Sequence, residues 1–143
     1  MKNASLAIVI AISLTMSAQT KSSIPDLVKN SFAKEFPKQK AKWSAEEGGF
    51  EAEFRLNGTE ASAVYDKGGH RKELEVEIKT TELPANVIAY VKKNYPTAKI
   101  TEASKITDDK NTVSYEAEIK KDGKSFDVLL DSTGKFIKIN GRG

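Results

Sequence analysis

Cysteine is absent from the 143-residue chain, and histidine and tryptophan occur once each. Without thiols there is no disulfide, no thiolate metal site and no nucleophilic cysteine chemistry. With a single histidine, no zinc motif can be assembled either. The domain must therefore stand on apolar burial alone. An excess of one charge is missing too: 23 Lys and Arg against 20 Asp and Glu leave +3, or +2 without Lys2. So even a balance gives nucleic acid or an anionic lipid surface little to attract. No apolar run is long enough to span a bilayer comfortably. The run at residues 4–16 follows Lys2 and precedes the small residues Ser17 and Ala18. This is the pattern of a signal peptide over residues 1–18, cleaved after Ala18. An uncleaved N-terminal anchor is the competing reading. No cysteine follows the run, so a lipid-anchored lipoprotein is excluded. The expectation is a periplasmic or secreted protein with no stable membrane insertion after cleavage.

Proline is scarce as well, and all four prolines bracket two segments, IPDLVKNSFAKEFP (24–37) and LPANVIAYVKKNYP (83–96). Ile24, Leu27, Val28, Phe32 and Phe36 recur at helical spacing in the first segment, as do Leu83, Val87, Tyr90, Val91 and Tyr95 in the second. Pro25 and Pro84 suit a first turn, where an N–H is not needed. Pro37 and Pro96 stop each helix, because the residue before a proline avoids the α region.

What the sequence does contain is said twice. FEAEFRLNGTEASAVYD (50–66) is echoed by YEAEIKKDGKSFDVLLD (115–131). Asn57-Gly58 and Asp122-Gly123 are hairpin turns, since both residues tolerate positive φ. Counting outward from the turns pairs Phe54 with Ala61, Ala52 with Ala63 and Phe50 with Tyr65. The second hairpin pairs Ile119 with Phe126, Ala117 with Val128 and Tyr115 with Leu130. In both, the register set by the turn puts the apolar residues on one face. Further turns at 66–69 and 131–134 lead to strands at LEVEI (74–78) and FIKI (136–139), and earlier strands are expected near 40–45 and 99–106. The fold class read from this pattern is α+β: a tandem repeat of one helix followed by about four antiparallel strands, with the helices packed on one face of the sheet. The units are 24–82 and 83–143.

The I/L-P…F/Y-P helix, the EAE hairpin with NG or DG, and the D-x-x-G turn resemble the PepSY-like, β-lactamase-inhibitor-like domains of exported bacterial proteins. The resemblance runs from Ile24 to Lys138. It implies a tandem α–β fold, an envelope or secreted location and no established enzyme activity. No cofactor is expected. The inhibitor that the family is named after sets a curved sheet and a hairpin turn against its enzyme. That implies a protein partner met by the sheet, an envelope hydrolase being the kind suggested. The disulfides and aromatic-rich face of that inhibitor are absent here.

Alternate strand positions face away from the helices. They hold Glu51, Glu53 and Glu60 in the first hairpin and Glu116 and Glu118 in the second, while Glu73, Glu75 and Glu77 alternate with Leu74, Val76 and Ile78. The helices carry Lys29, Lys34, Lys38, Lys92 and Lys93. The expected molecule is polarised, with an acidic sheet face and a basic helix side. Its function is read as non-enzymatic binding of a protein partner, inhibitor-like, through Glu51, Glu53, Glu60, Glu116 and Glu118, the Asn57 turn, and Trp43 as an aromatic anchor. The alternative is a structural or chaperone-like envelope component that binds extended peptides at a sheet edge. No catalytic or metal-ligating residue is assigned. Nothing around any serine resembles a nucleophile elbow for His70 to serve. The Asp108-Asp109-Lys110-Asn111 segment lacks the alternation of a calcium loop and reads as a turn. Paired glutamates are abundant, but an open sheet offers no cleft to desolvate one of them as glycosidase chemistry requires.

Overall fold

The computed structural model describes residues 23–142. The expected signal peptide lies outside the described residues. Two helices form where the prolines place them, α1 (Asp26–Glu35) and α2 (Ala85–Asn94), with Pro25 and Pro84 as their N-caps. Each cap carbonyl accepts hydrogen bonds from the N–H groups three and four residues on. A single 3-10 turn, Thr80–Glu82, precedes α2. Among the described residues no helix is long and apolar enough to cross a membrane.

Eight strands make up the rest: β1 (Lys42–Glu46), β2 (Gly49–Leu56), β3 (Thr59–Asp66), β4 (Arg71–Ile78), β5 (Lys99–Asp108), β6 (Val113–Lys121), β7 (Lys124–Asp131) and β8 (Phe136–Arg142). Both hairpin registers are those counted from the turns: Phe54 faces Ala61 and Phe50 faces Tyr65, while Ile119 faces Phe126 and Tyr115 faces Leu130. Asn57, Gly58, Asp122 and Gly123 all have positive φ, which matches the right-handed twist of the flanking strands.

The tandem arrangement is where the structure corrects the sequence. The strands form one antiparallel sheet in the order β1 to β8, not two helix-plus-meander units. β4 and β5, on either side of the expected boundary, pair over six residues from Glu73–Asp108 to Ile78–Ala103. Local sequence sets turns and helix ends, but an unpaired strand edge leaves backbone N–H and C=O groups without partners. Joining β4 to β5 satisfies them, and the division at residue 83 disappears into a continuous sheet. Directly opposed residues share a face, so Phe50, Ala63, Val76, Ala117 and Val128 all lie on the helix side. There α1 packs Val28 and Phe32 against Phe50, Phe54 and Tyr65, and α2 packs Val87 and Val91 against Ala117, Ile119 and Leu130.

Three loops share one hydrogen-bond pattern. An Oδ1 of Asp66, Asp108 and Asp131 accepts the N–H groups two and four residues later, at 2.8–3.0 Å. Two of these loops touch a helix. Gly134 has φ +83°, and a Cβ there would lie 3.0 Å from the Cβ of Asn86 on α2, whose amide donates to the Ser132 carbonyl. Gly134→Ala is expected to destabilise by about 1–2 kcal/mol from positive φ and crowding together. Gly123→Ala, with nothing within 4 Å of its new Cβ, isolates the conformational part and should cost less in parallel urea melts.

Candidate functional site

The helix-free face is built by strand alternation. β2 contributes Glu51, Glu53 and Arg55, β3 Glu60 and Ser62, β4 Glu73, Glu75 and Glu77, β6 Glu116 and Glu118, and β7 Asp127. No described helix covers this face, yet Glu75, Ser62 and Asp127 on it are only 0–2% exposed. Polar side chains on one face of a sheet lose contact with water in this way where the strands twist and curl over them, so the face is concave, with its carboxylates inside.

The curl divides the acidic residues. Glu75, Asp127, Glu51 and Glu116 are buried, from 0% to 8% exposed, whereas Glu53, Glu60 and Glu118 remain partly exposed. Burial raises the Glu75 pKa to about 7, helped by Glu73, Glu51 and Asp127 and opposed by the Ser104 hydroxyl. Glu51 is likewise raised to about 7, first by burial and then by Glu46, Glu53 and Glu73, while the Ser62 hydroxyl holds it down. Neither oxygen of Glu75 makes a hydrogen bond of ordinary geometry. Beside these groups lie Val64, Ile106 and Leu129. The rim is tied by ion pairs, Lys42 with Glu53 at 3.3 Å and Arg55 with Glu60 at 3.9 Å, and Thr101 donates to Glu118 at 2.7 Å.

The structure gathers five of the seven sequence-predicted residues, Glu51, Glu53, Glu60, Glu116 and Glu118, onto this face. It leaves out the other two. Trp43 pairs with Ala52 on the helix side and packs against Phe32 and Tyr65 at 5.5 and 6.2 Å. Asn57 sits in the β2–β3 turn. Glu75, the most deeply buried of the acids, was visible only as one member of an alternating LEVEI run. Its depth comes from the curl, which alternation does not encode. His70 is exposed and pairs with Asp66 at 3.3 Å. A separate cleft of about 410 Å³ between α1 and the β3–β4 and β5–β6 turns is lined by Lys34, Glu35, His70, Arg71 and Asp109. Its Glu35 and Arg71 are joined at 2.7 Å, so it presents no field of one sign. Among the described residues no group of His, Cys, Asp and Glu has metal-binding geometry.

Residues 47–138 match the family described as putative beta-lactamase-inhibitor-like, PepSY-like. The chain belongs to this family. The match takes in β2 to β7, α2 and the start of β8. Solved structures share the fold. A putative periplasmic protein from Bacteroides eggerthii superposes with a TM-score of 0.74 at 14% identity, over 83% of this chain and 89% of that one. A BLIP-like protein from Bacteroides fragilis gives 0.65 at 15% identity, over 83% and 86%. No curated protein matches the chain in sequence.

Proposed function

We propose that this PepSY-like protein is a non-catalytic binding module of the bacterial envelope, periplasmic or secreted, that holds a basic protein surface on its concave carboxylate face. The observation that carries the reading is the gathering of carboxylates on a curved face that no described element covers. The partly exposed Glu53, Glu60 and Glu118 form a rim around buried acids, while the exposed lysines of α1 and α2 stand on the opposite side. Such polarity gives a partner a preferred orientation and a salt-dependent rate of encounter. The family description and the BLIP-like neighbour suggest an envelope hydrolase as the kind of partner. The residues that would make contact are the rim glutamates; Glu51 and Glu116 lie buried beneath them. Trp43, partly buried on the helix side, lies apart from this rim.

Immobilised protein exposed to envelope extract of its own host should retain one saturable partner that moderate salt releases. Retention of a broad mixture of unfolded chains, insensitive to salt, would count against the reading.

A further inference from the structure

Among the described residues, large apolar side chains left in the open are few. Apart from Leu27 on α1, they are Phe136, Ile137 and Ile139, all on β8 and 38–49% exposed. β8 is also a terminal strand of the sheet, with no described strand on its outer side. Alternate N–H and C=O groups along it therefore point away from β7. Edge strands are usually kept short, polar or covered, and β8 runs seven residues. Phe136 stacks on Tyr90 of α2 with ring centroids 5.8 Å apart and planes 15° apart, so the start of the strand is held in place. Its charge is of one sign, from the exposed Lys138, with the exposed Lys135 just before the strand. The opposite edge, β1, is five residues long and carries both Lys42 and Glu46.

We infer that the outer edge of β8 accepts an extended segment of a partner protein, in which apolar and acidic residues alternate, as an added strand of the sheet. Backbone pairing would supply affinity and the alternation would set the face. Lys138 lies opposite Leu129 on the concave side and Ile139 opposite Val128 on the helix side, so acidic residues fall beside the first and apolar residues beside the second. A second copy of this chain fits less well. An antiparallel β8–β8 pair would bring two edges of the same positive charge together.

The test is an NMR titration of the isotope-labelled protein with two blocked peptides, Glu-Leu-Glu-Val-Glu-Ile and Lys-Leu-Lys-Val-Lys-Ile. The acidic peptide should bind saturably, shift β8 amides and slow exchange of their outward N–H groups. The lysine peptide should bind about tenfold more weakly or not at all. A Lys135→Glu, Lys138→Glu variant changes only exposed positions and should reverse that preference. Absence of saturable shifts, equal binding of the two peptides, or shifts confined to β1 or the concave face would overturn the inference.

Discussion

Replacing Glu75 with glutamine raises the stability of the protein at pH 8 by on the order of 2 kcal/mol and leaves it almost unchanged at pH 4. The sign follows from the raised pKa. Between the ordinary carboxyl value of 4.5 and the folded value of about 7, the unfolded chain is ionised while the folded one still holds its proton. The folded state binds more protons in that window, so stability falls as pH rises through it. Above it the folded protein carries a buried carboxylate whose desolvation the Ser104 hydroxyl offsets only in part. Glutamine keeps a neutral side chain of the same shape throughout, so the two proteins coincide where Glu75 is already neutral. Glu51, also raised to about 7, adds to the slope in the same direction. The three loop aspartates work the other way. Asp66 and Asp108 are lowered first by backbone N–H groups, of His70 and Thr112 respectively, and Asp131 first by the Thr133 hydroxyl. Their contribution is present above the unfolded carboxyl value and is lost as pH falls through the folded values. Maximum stability is therefore expected in mild acid. Thermal melts of wild type and Glu75→Gln from pH 4 to 8 check this, and curves that run parallel across the range would contradict it.

Phe32→Ala should cost about 3–5 kcal/mol, the range for removing a buried aromatic ring. Phe32 is 4% exposed and is the hub of the α1 side of the core. Its ring lies 5.3 Å from Phe36, 5.5 Å from Trp43, 5.0 Å from Phe54 and 6.5 Å from Tyr65, with three of the four contacts edge-to-face. Such pairs add to simple area burial, and rings held by strands on one side and a helix on the other cannot close over a cavity of that size. Leu27→Ala, one turn earlier but 57% exposed, serves as the control and should change stability by less than about 1 kcal/mol. Urea titrations of both variants decide the matter. The Trp43 fluorescence of Phe32→Ala should shift red, because the indole loses its edge-to-face neighbour.

Much of this architecture was legible in the residues. Turns with two positive-φ positions fix hairpin register, so Asn57-Gly58 and Asp122-Gly123 gave the pairings of Phe50 with Tyr65 and Tyr115 with Leu130 directly. Prolines gave the helix ends to within a residue or two. The joining of β4 to β5 was not legible, because a strand edge has the same sequence whether it meets solvent or another strand. The site was half legible. Alternation identified which glutamates share a face, but not how deep each one sits. Depth depends on curvature accumulated over several strands, with register shifts at Tyr65, Thr101 and Ile137 along the way. That is why Glu51 and Glu116 look like contact residues in the sequence and are buried in the fold. Trp43 lies apart from the glutamates for a simpler reason: its strand position is paired with Ala52 on the helix side, where the indole packs against Phe32 and Tyr65.

The most direct test of the concave-face account is a comparison of two charge-reversed proteins in partner capture. One carries Glu53→Lys, Glu60→Lys and Glu118→Lys on the rim; the other carries Lys34→Glu and Lys92→Glu on the helices. All five positions are at least partly exposed, and equal melting temperatures would confirm that both proteins fold. The account predicts that the rim variant loses the salt-released partner while the helix variant keeps it. Retention by the rim variant, or loss by the helix variant alone, would place the binding surface elsewhere and contradict the account.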